Sequence, residues 1–373
     1  MIEAIPVRSD KQLKAFINLP YKLFRNNRYW VPPIKKDVYK MLDIKQNPFW
    51  RHAERELFLA YRDGQLAGRV AAIVDYNFLD FWNQKTGYFG YFECDNDEDA
   101  ARALFEKVSE YLLDKGMENY IGPMNPSIND EVGILIEGFF TPPFIMMTYN
   151  PEYYRELCEK SGLTKAKDLF AFYVDMKDIP FEYYERLSSI IRRRIPDLKI
   201  RTINMDDYFN EVKKIKEIYN DAWSRNWGFV PMTDEEINEL AKTLKPLLVP
   251  ELVTLIDVDG VPSALSLAIP NYNYILKKLN GKLNLFGMLK FLYFKKKIKE
   301  VRFMIMGVRK QCQKMGLEAL LLAESVKIGQ QVGYIGGELS WTLEDNHLIN
   351  NMIKKVGGKI YKKYRMFAGS VNR

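Results

Sequence analysis

Apolar and polar positions along the chain switch repeatedly between strand-like and helix-like spacing. Strand-like runs lie at Ile2 to Val7, Glu56 to Arg62, Gln65 to Asp75, Gly87 to Cys94, around Tyr120 and Ile121, and at Asp168 to Val174. Helical spacing covers Lys11 to Phe24, Asp95 to Leu113, where Leu104, Val108, Tyr111 and Leu112 share a face, and Pro151 to Lys160, which Gly162 stops. Asp63-Gly64 stands between two strand runs and is a two-residue hairpin signal, because both turn positions need positive φ.

The second half repeats this order. Tyr183 to Arg194 reads as a connecting helix, then Leu198 to Asn204 as a strand and Asp206 to Trp223 as a helix. A second hairpin joins Leu252 to Asp257 and Val261 to Ile269 about Asp259-Gly260. Val301 to Val308 follows as a strand, with a helix from Gln313. Gly337 to Trp341, a helix from Asp345 to Lys355 closed by Gly357-Gly358, and a strand through Tyr361 to Phe367 complete the order. Two copies of one pattern imply a tandem duplication. The expected domains are 1–176 and 197–373, with 177–196 as connector. The copies differ by an insertion at 271–300, in which Leu283, Leu285, Phe286, Met288, Leu289, Phe291, Leu292 and Phe294 are interleaved with lysines. Two readings fit it: a helix pair folded on the protein's own core with its lysines in water, or an interfacial element meeting a membrane or an acyl chain through 274–299.

Composition narrows the class. A chain of 373 residues with 47% hydrophobic and 14% aromatic content is globular and long enough for two cores. No run approaches the roughly 20 apolar residues that span a bilayer, and the first residues carry no signal-peptide pattern, so a cytoplasmic location, peripheral to a membrane if the insertion binds one, is expected. Three separated cysteines and two histidines offer no metal-ligand spacing, so no metal is expected. The net charge of +7 suits an anionic cofactor or a membrane surface as well as nucleic acid, of which nucleic acid is the less expected partner.

Chemistry concentrates at Val301 to Ala323. A strand running through a glycine-containing turn into a helix presents free amides and the positive end of a helix dipole, which is an anion site. The matching helix start in the first half carries Asp95, Asp97, Glu98 and Asp99, which cap the helix themselves and repel phosphate. The first half has instead a loop dense in special residues, Gly122 to Tyr154, from which Asn125, Asn129 and Glu131 are candidate acceptor-binding groups.

On these residues the second half resembles a GNAT-superfamily acyltransferase domain. The family's pyrophosphate turn, Gln/Arg-x-x-Gly-x-Gly/Ala, is matched in part by Gln313-Lys314-Met315-Gly316-Leu317-Glu318, with Glu318 in place of a small residue and Ala319 as a counterpart shifted by one. Asn346 to Gly357 resembles the family's asparagine-initiated helix. Ile353 stands where many members carry a proton-donating tyrosine. Across its length the chain also resembles a group of bacterial tandem GNAT-like proteins, sharing Trp30 to Pro33, Asn47 to Phe49, Gly122 to Ser127 and Ser340 to Asn346.

The resemblance implies an α/β (α+β) fold of two GNAT-like domains, each a mixed, mostly antiparallel twisted sheet flanked by helices. It implies an N-acyltransferase moving an acyl group from coenzyme A to a small-molecule or lipid amine. Gly307, Val308, Gln313, Lys314, Met315, Gly316, Leu317, Ala319 and Asn346 are then the expected cofactor-binding residues, with backbone amides at Gly307-Val308 steadying the oxyanion. Glu338 and Glu344 are candidate bases, and Tyr361 and Tyr364 candidate acids. Two alternatives remain at this level: a tandem-GNAT transferase using aminoacyl-tRNA on a cell-wall precursor, and a non-catalytic binding protein that kept the fold.

Overall fold

The computed structural model describes residues 1–371. Contacts divide it into two compact units that are discontinuous in sequence. Unit 1 comprises Met1–Leu169, Asn273–Phe294 and the chain from Lys362 onward; unit 2 comprises Phe170–Tyr272 and Lys295–Tyr361. This partition differs from the contiguous halves expected above, since the end of the second copy and most of its insertion are counted with unit 1.

In chain order, unit 1 begins with β1 (Ile2–Pro6), α1 (Asp10–Leu23), α2 (Lys35–Leu42), the hairpin β2 (Ala53–Arg62) and β3 (Gln65–Asp75), α3 (Tyr76–Trp82), β4 (Thr86–Cys94), α4 (Glu98–Asp114) and β5 (Asn119–Gly122). Short strands β6 (Met124–Asn125), β7 (Glu131–Val132) and β8 (Ile134–Glu137) precede α5 (Tyr154–Lys160) and β9 (Thr164–Asp175), whose second half enters unit 2. Unit 2 continues with α6 (Phe181–Arg194), β10 (Leu198–Thr202), α7 (Tyr208–Trp223), α8 (Asp234–Leu244) and the hairpin β11 (Val253–Val258) and β12 (Val261–Pro270). The insertion forms α9 (Asn273–Leu279) and α10 (Leu285–Lys295); then come β13 (Glu300–Val308), α11 (Leu317–Val332), β14 (Gly336–Leu343), α12 (His347–Lys355) and β15 (Lys359–Ser370).

Both hairpins form on the predicted turns. Asp63 and Gly64 have φ of 50° and 77°, Asp259 and Gly260 of 50° and 75°, which matches the strand twist and fixes the registers Arg62 opposite Gln65 and Val258 opposite Val261. In each unit the antiparallel run ends in one parallel pair made by a strand-helix-strand crossover: β4–α4–β5 and β13–α11–β14. The helix of each crossover covers one sheet face. α4 buries Ala101, Leu104, Phe105 and Val108 against Val70, Ala72 and Phe89. Under α11, Leu317, Leu320 and Leu321 pack with Ile256, Ala264 and Val308, and Leu322 and Val326 with Leu339 and Ile353. Helix α8 falls in a stretch that the apolar pattern left unassigned. Its signal is a capping box, Thr233 to Glu236, in which each side chain accepts from the other's backbone amide.

Candidate functional site

The site begins with where strands stop pairing. β13 and β14 pair only from Glu300–Gly336 to Phe303–Leu339, although β13 runs on to Val308 and β14 to Leu343. From Met304 onward the edge of β13 that faces β14 has no strand partner among the described residues, so the pair forms a fork. A bulge sits at its base, because Phe303 lies opposite Ala268 and Ile305 opposite Leu267, leaving Met304 unopposed. Arg309 donates its amide to Ser263 O at 2.9 Å. The alternation of an antiparallel ladder then aims the amides of Val308 and Met306 away from β12 and into the fork. The same alternation turns the Gly307 amide toward β12, so of the two expected oxyanion donors Val308 has the fitting direction. Gly307 serves by lacking a side chain, since a Cβ there would lie 2.3 Å from the Trp223 ring.

Beyond β13 the expected turn is present but its helix starts later than predicted. Lys310–Cys312 forms a short 3-10 turn, and α11 begins at Leu317 with Gly316 at its N-cap, φ 85°. The amides of Gln313, Met315 and Ala319 donate to the carbonyls of Lys310, Cys312 and Gly316 at 3.3, 3.3 and 3.1 Å. Among the described residues no such bond engages the amides of Lys314, Gly316, Leu317 and Glu318, and no side chain caps the helix. Four donors at the positive end of a helix dipole therefore remain for an anion. Ile191 of α6 touches the turn, lying 3.0 Å from where a Gly316 Cβ would be, and α6 ends with the exposed Arg193 and Arg194. Glu318 is half-buried in the first turn of α11, where its charge favours the helix and opposes a bound anion. Cys312 is buried in the apolar cluster beneath.

On the sheet face opposite α11, at the base of the fork, Arg302 stands across from Glu338 in the ladder, and Ser340 follows two residues on. Glu338 is wholly buried. Ser340 Oγ donates to its Oε1 at 2.5 Å, Tyr361 donates its hydroxyl to Oε2, and the Arg302 guanidinium lies 3.8 Å away and also donates to Ser340 Oγ at 2.9 Å. Tyr361 is half-buried, with its ring 6.0 Å from that of Tyr173. Burial, followed by a 2.7 Å hydrogen bond to Glu300, holds the Tyr173 hydroxyl protonated above the ordinary phenol range.

The structure thus brings Glu338 and Tyr361 together and adds Ser340, which opens the shared stretch Ser340 to Asn346 but had no role there, and Arg302, which no motif included. A lone arginine inside an apolar strand was the available signal, because a buried cation demands a partner. The other candidates lie elsewhere. Glu344 is half-buried past the end of β14, where its carbonyl accepts from Asn350 at 3.4 Å. Tyr364 belongs to unit 1 and is buried against Gly133. Asn346 caps α12 by accepting from the Ile349 amide at 3.3 Å. In unit 1, Asn125 accepts from the Tyr91 amide at 2.6 Å, Asn129 donates its amide to Ser127 Oγ at 3.2 Å, and Glu131 pairs with Asn125 in the β6–β7 ladder. Among the described residues no cluster of His, Cys, Asp and Glu could hold a metal, and no helix is long and apolar enough to cross a membrane.

This arrangement is a tandem GNAT fold. A tandem GNAT protein from the clavulanic acid biosynthesis pathway superposes with a TM-score of 0.57 at 11% identity, covering 100% of this chain and 99% of that one. A GCN5-related N-acetyltransferase from Sphaerobacter thermophilus gives 0.52 at 11% identity, covering 100% and 96%. Sequence relatives narrow the class: the chain is 36% identical to the bacterial ceramide synthase of Caulobacter vibrioides, over 98% of this chain and 97% of that protein, and 33% identical to protein YghO of Escherichia coli K12, over 96% and 93%. It belongs to the family of these two proteins. No family model matches it. Fold and family together support acyl transfer as the general chemistry.

Proposed function

We propose that the protein transfers an acyl group from an acyl-coenzyme A thioester to the amino group of a long-chain amino alcohol, forming the amide of a ceramide-type lipid. The open fork of β13 and β14, leading from buried Glu338 and its half-buried partner Tyr361 to a turn with four free amides, carries this reading. The choice of amine rests on the name of the Caulobacter relative.

The residues suit the chemistry. The amides of Lys314, Gly316, Leu317 and Glu318 would hold the diphosphate, with Arg193 and Arg194 adding positive charge. The Val308 or Met306 amide would stabilise the oxyanion that forms when the amine attacks the thioester carbon. As the new C–N bond forms and the C–S bond breaks, one proton must pass from nitrogen to sulfur. We assign this transfer to Tyr361, supported by its half-burial and its hydrogen bond to Glu338. Glu338 has no exposed surface, so it acts as a positioning residue, with Arg302 and Ser340 fixing it.

The test is free-thiol release from acetyl- and palmitoyl-coenzyme A with simple and long-chain amines, with mass spectrometry of the amide. Palmitoyl-coenzyme A with a long-chain amino alcohol is expected to turn over. Tyr361→Phe should lower kcat about a hundredfold with KM little changed. No turnover with any pair, together with no thermal stabilisation by coenzyme A, would refute the reading.

A further inference from the structure

We propose that the outward face of α10, together with Phe140, docks on an anionic lipid bilayer surface. A water-facing helix on a globular protein turns its apolar stripe inward; α10 does the reverse. Gly287 is its buried position, with Phe291 and Phe294 half-buried at the following turns. Leu285, Phe286, Met288, Leu289, Leu292 and Tyr293 are exposed, Leu285 to 76% and Phe286 to 74%. Packing explains the inversion. The Asn284 side chain caps the helix at the Gly287 amide at 2.9 Å, and a Cβ on Gly287 would stand 3.4 Å from Leu279, so the helix rests on α9 by its smallest residue.

Helix α9 and the turn before α10 are tied to the rest of unit 1. Asn273, at the start of α9, donates to Pro143 O at 2.8 Å, Lys277 donates to Arg28 O, and Gly281 O accepts from the Lys35 amide at 3.1 Å. The loop before Pro143 exposes Phe140 to 74%, and the buried Lys362 clamps it through Gly138 O and Thr141 O at 2.5 and 2.8 Å. A second large apolar side chain is thus presented by a loop tied to α9.

Charge selects the occupant. No aspartate or glutamate lies between Gly260 and Glu300, whereas Lys282 and Lys290 border the apolar side chains and Lys295, Lys296 and Lys297 follow them. Along α10, exposed apolar groups flanked by lysines, with no carboxylate on the helix itself, match an anionic headgroup layer over acyl chains. A second copy of this chain would bring the same lysines together, and the whole protein carries +7. With 11 residues, α10 lies along such a surface rather than crossing it.

The experiment is co-sedimentation of the full chain with vesicles of phosphatidylglycerol and phosphatidylcholine, against phosphatidylcholine alone. Binding is expected on the anionic vesicles, about tenfold or more weaker on the neutral ones, and weakened by raising the salt from about 0.1 to 1 M, which shortens the screening length from about 10 to 3 Å. The variant Leu285→Ser/Phe286→Ser/Leu289→Ser should bind at least about tenfold more weakly, with an unchanged melting curve because these side chains are exposed. Wild-type protein left in the supernatant with all vesicles, or unchanged binding by the variant, overturns the proposal. So does a dimer in sedimentation velocity that the variant abolishes while vesicles capture nothing, which assigns the face to a second copy. Vesicle binding is read without turnover, so its failure leaves the acyl-transfer reading to its own test.

Discussion

The two parallel crossovers are built alike and finished differently. In unit 1, β4 and β5 pair over Thr86–Asn119 to Tyr88–Ile121, and the fork beyond is filled by the chain itself. The Met124 carbonyl lies 1.8 Å from where a Gly90 Cβ would be, and Asn125 Oδ1 takes the Tyr91 amide. The helix start is closed as well: Asp97 accepts from the Ala100 amide at 3.1 Å and from Arg62, which also reaches Asp99 at 2.9 Å. In unit 2, β14 runs on to Leu343 without turning into the fork, and α11 starts on an uncapped glycine. One helix start has thus been closed by its own side chains and the other left with unsatisfied donors. Orphan amides that α4 satisfies internally are, in α11, the groups to which the proposed function assigns the diphosphate.

Filling the space that the plug uses gives the largest effect. Gly90→Ala puts a Cβ against backbone that cannot rotate away, so unit 1 should lose about 3 kcal/mol by urea unfolding. Gly307→Ala meets side chains, the Trp223 ring and the Ala222 Cβ, rather than backbone and should cost less. Equal costs would show that the two forks are not filled differently. At the open fork, Gly316→Asp copies the acid of α4 onto α11. Coenzyme A binding, read by calorimetry, should weaken about a hundredfold. Gly316→Asn carries the same backbone strain without the charge and should weaken binding far less; equal losses would mean strain rather than charge is at work.

The units should also differ in pH response. Glu93 in unit 1 lies 3.6 Å from Arg69 and accepts from the Tyr154 hydroxyl at 2.7 Å, yet burial raises its pKa from 4.5 to about 7. A carboxyl with a raised folded-state pKa binds more protons folded than unfolded between about 4.5 and 7, so its contribution is full below that window and lost as pH rises through it. Its side chain keeps 17% exposure, which limits the effect to on the order of 1–2 kcal/mol. Thermal melts should fall from pH 5 to 8, and Glu93→Gln should flatten that slope. Unaltered pH dependence in the variant would remove Glu93 as its source.

Much of this was legible in the sequence because the signals were local. Asp63-Gly64 and Asp259-Gly260 dictate their turns through φ, and the acids of α4 against the glycine of α11 already distinguished a closed helix start from an open one. What escaped depended on distant partners. Nothing near Asn125 announces that its side chain accepts from the Tyr91 amide in a strand fork. Tyr361 and Tyr364 look alike on one strand in the sequence, and only the structure shows that Tyr361 donates to Glu338. The insertion read as helices with two possible environments, and only side-chain exposure shows Leu285 and Phe286 turned outward. The discontinuous units, with 273–294 counted beside residues of the first half, have no sequence signal at all.

The smallest test bears on Glu318, the residue that departs from the turn resembled. In the free protein its carboxylate sits at the positive end of α11, a stabilising position worth roughly 0.3–1 kcal/mol. With a diphosphate on the neighbouring amides the same charge repels the ligand. Glu318→Gln should therefore move two quantities in opposite directions: a slightly lower melting temperature without ligand, and coenzyme A binding tightened a few-fold, most clearly at low salt where screening is weak. If the substitution weakens binding, the carboxylate contributes to the ligand site rather than opposing it. If binding does not change at all, the anion does not reach the first turn of α11, and the contrast with α4 concerns stability alone.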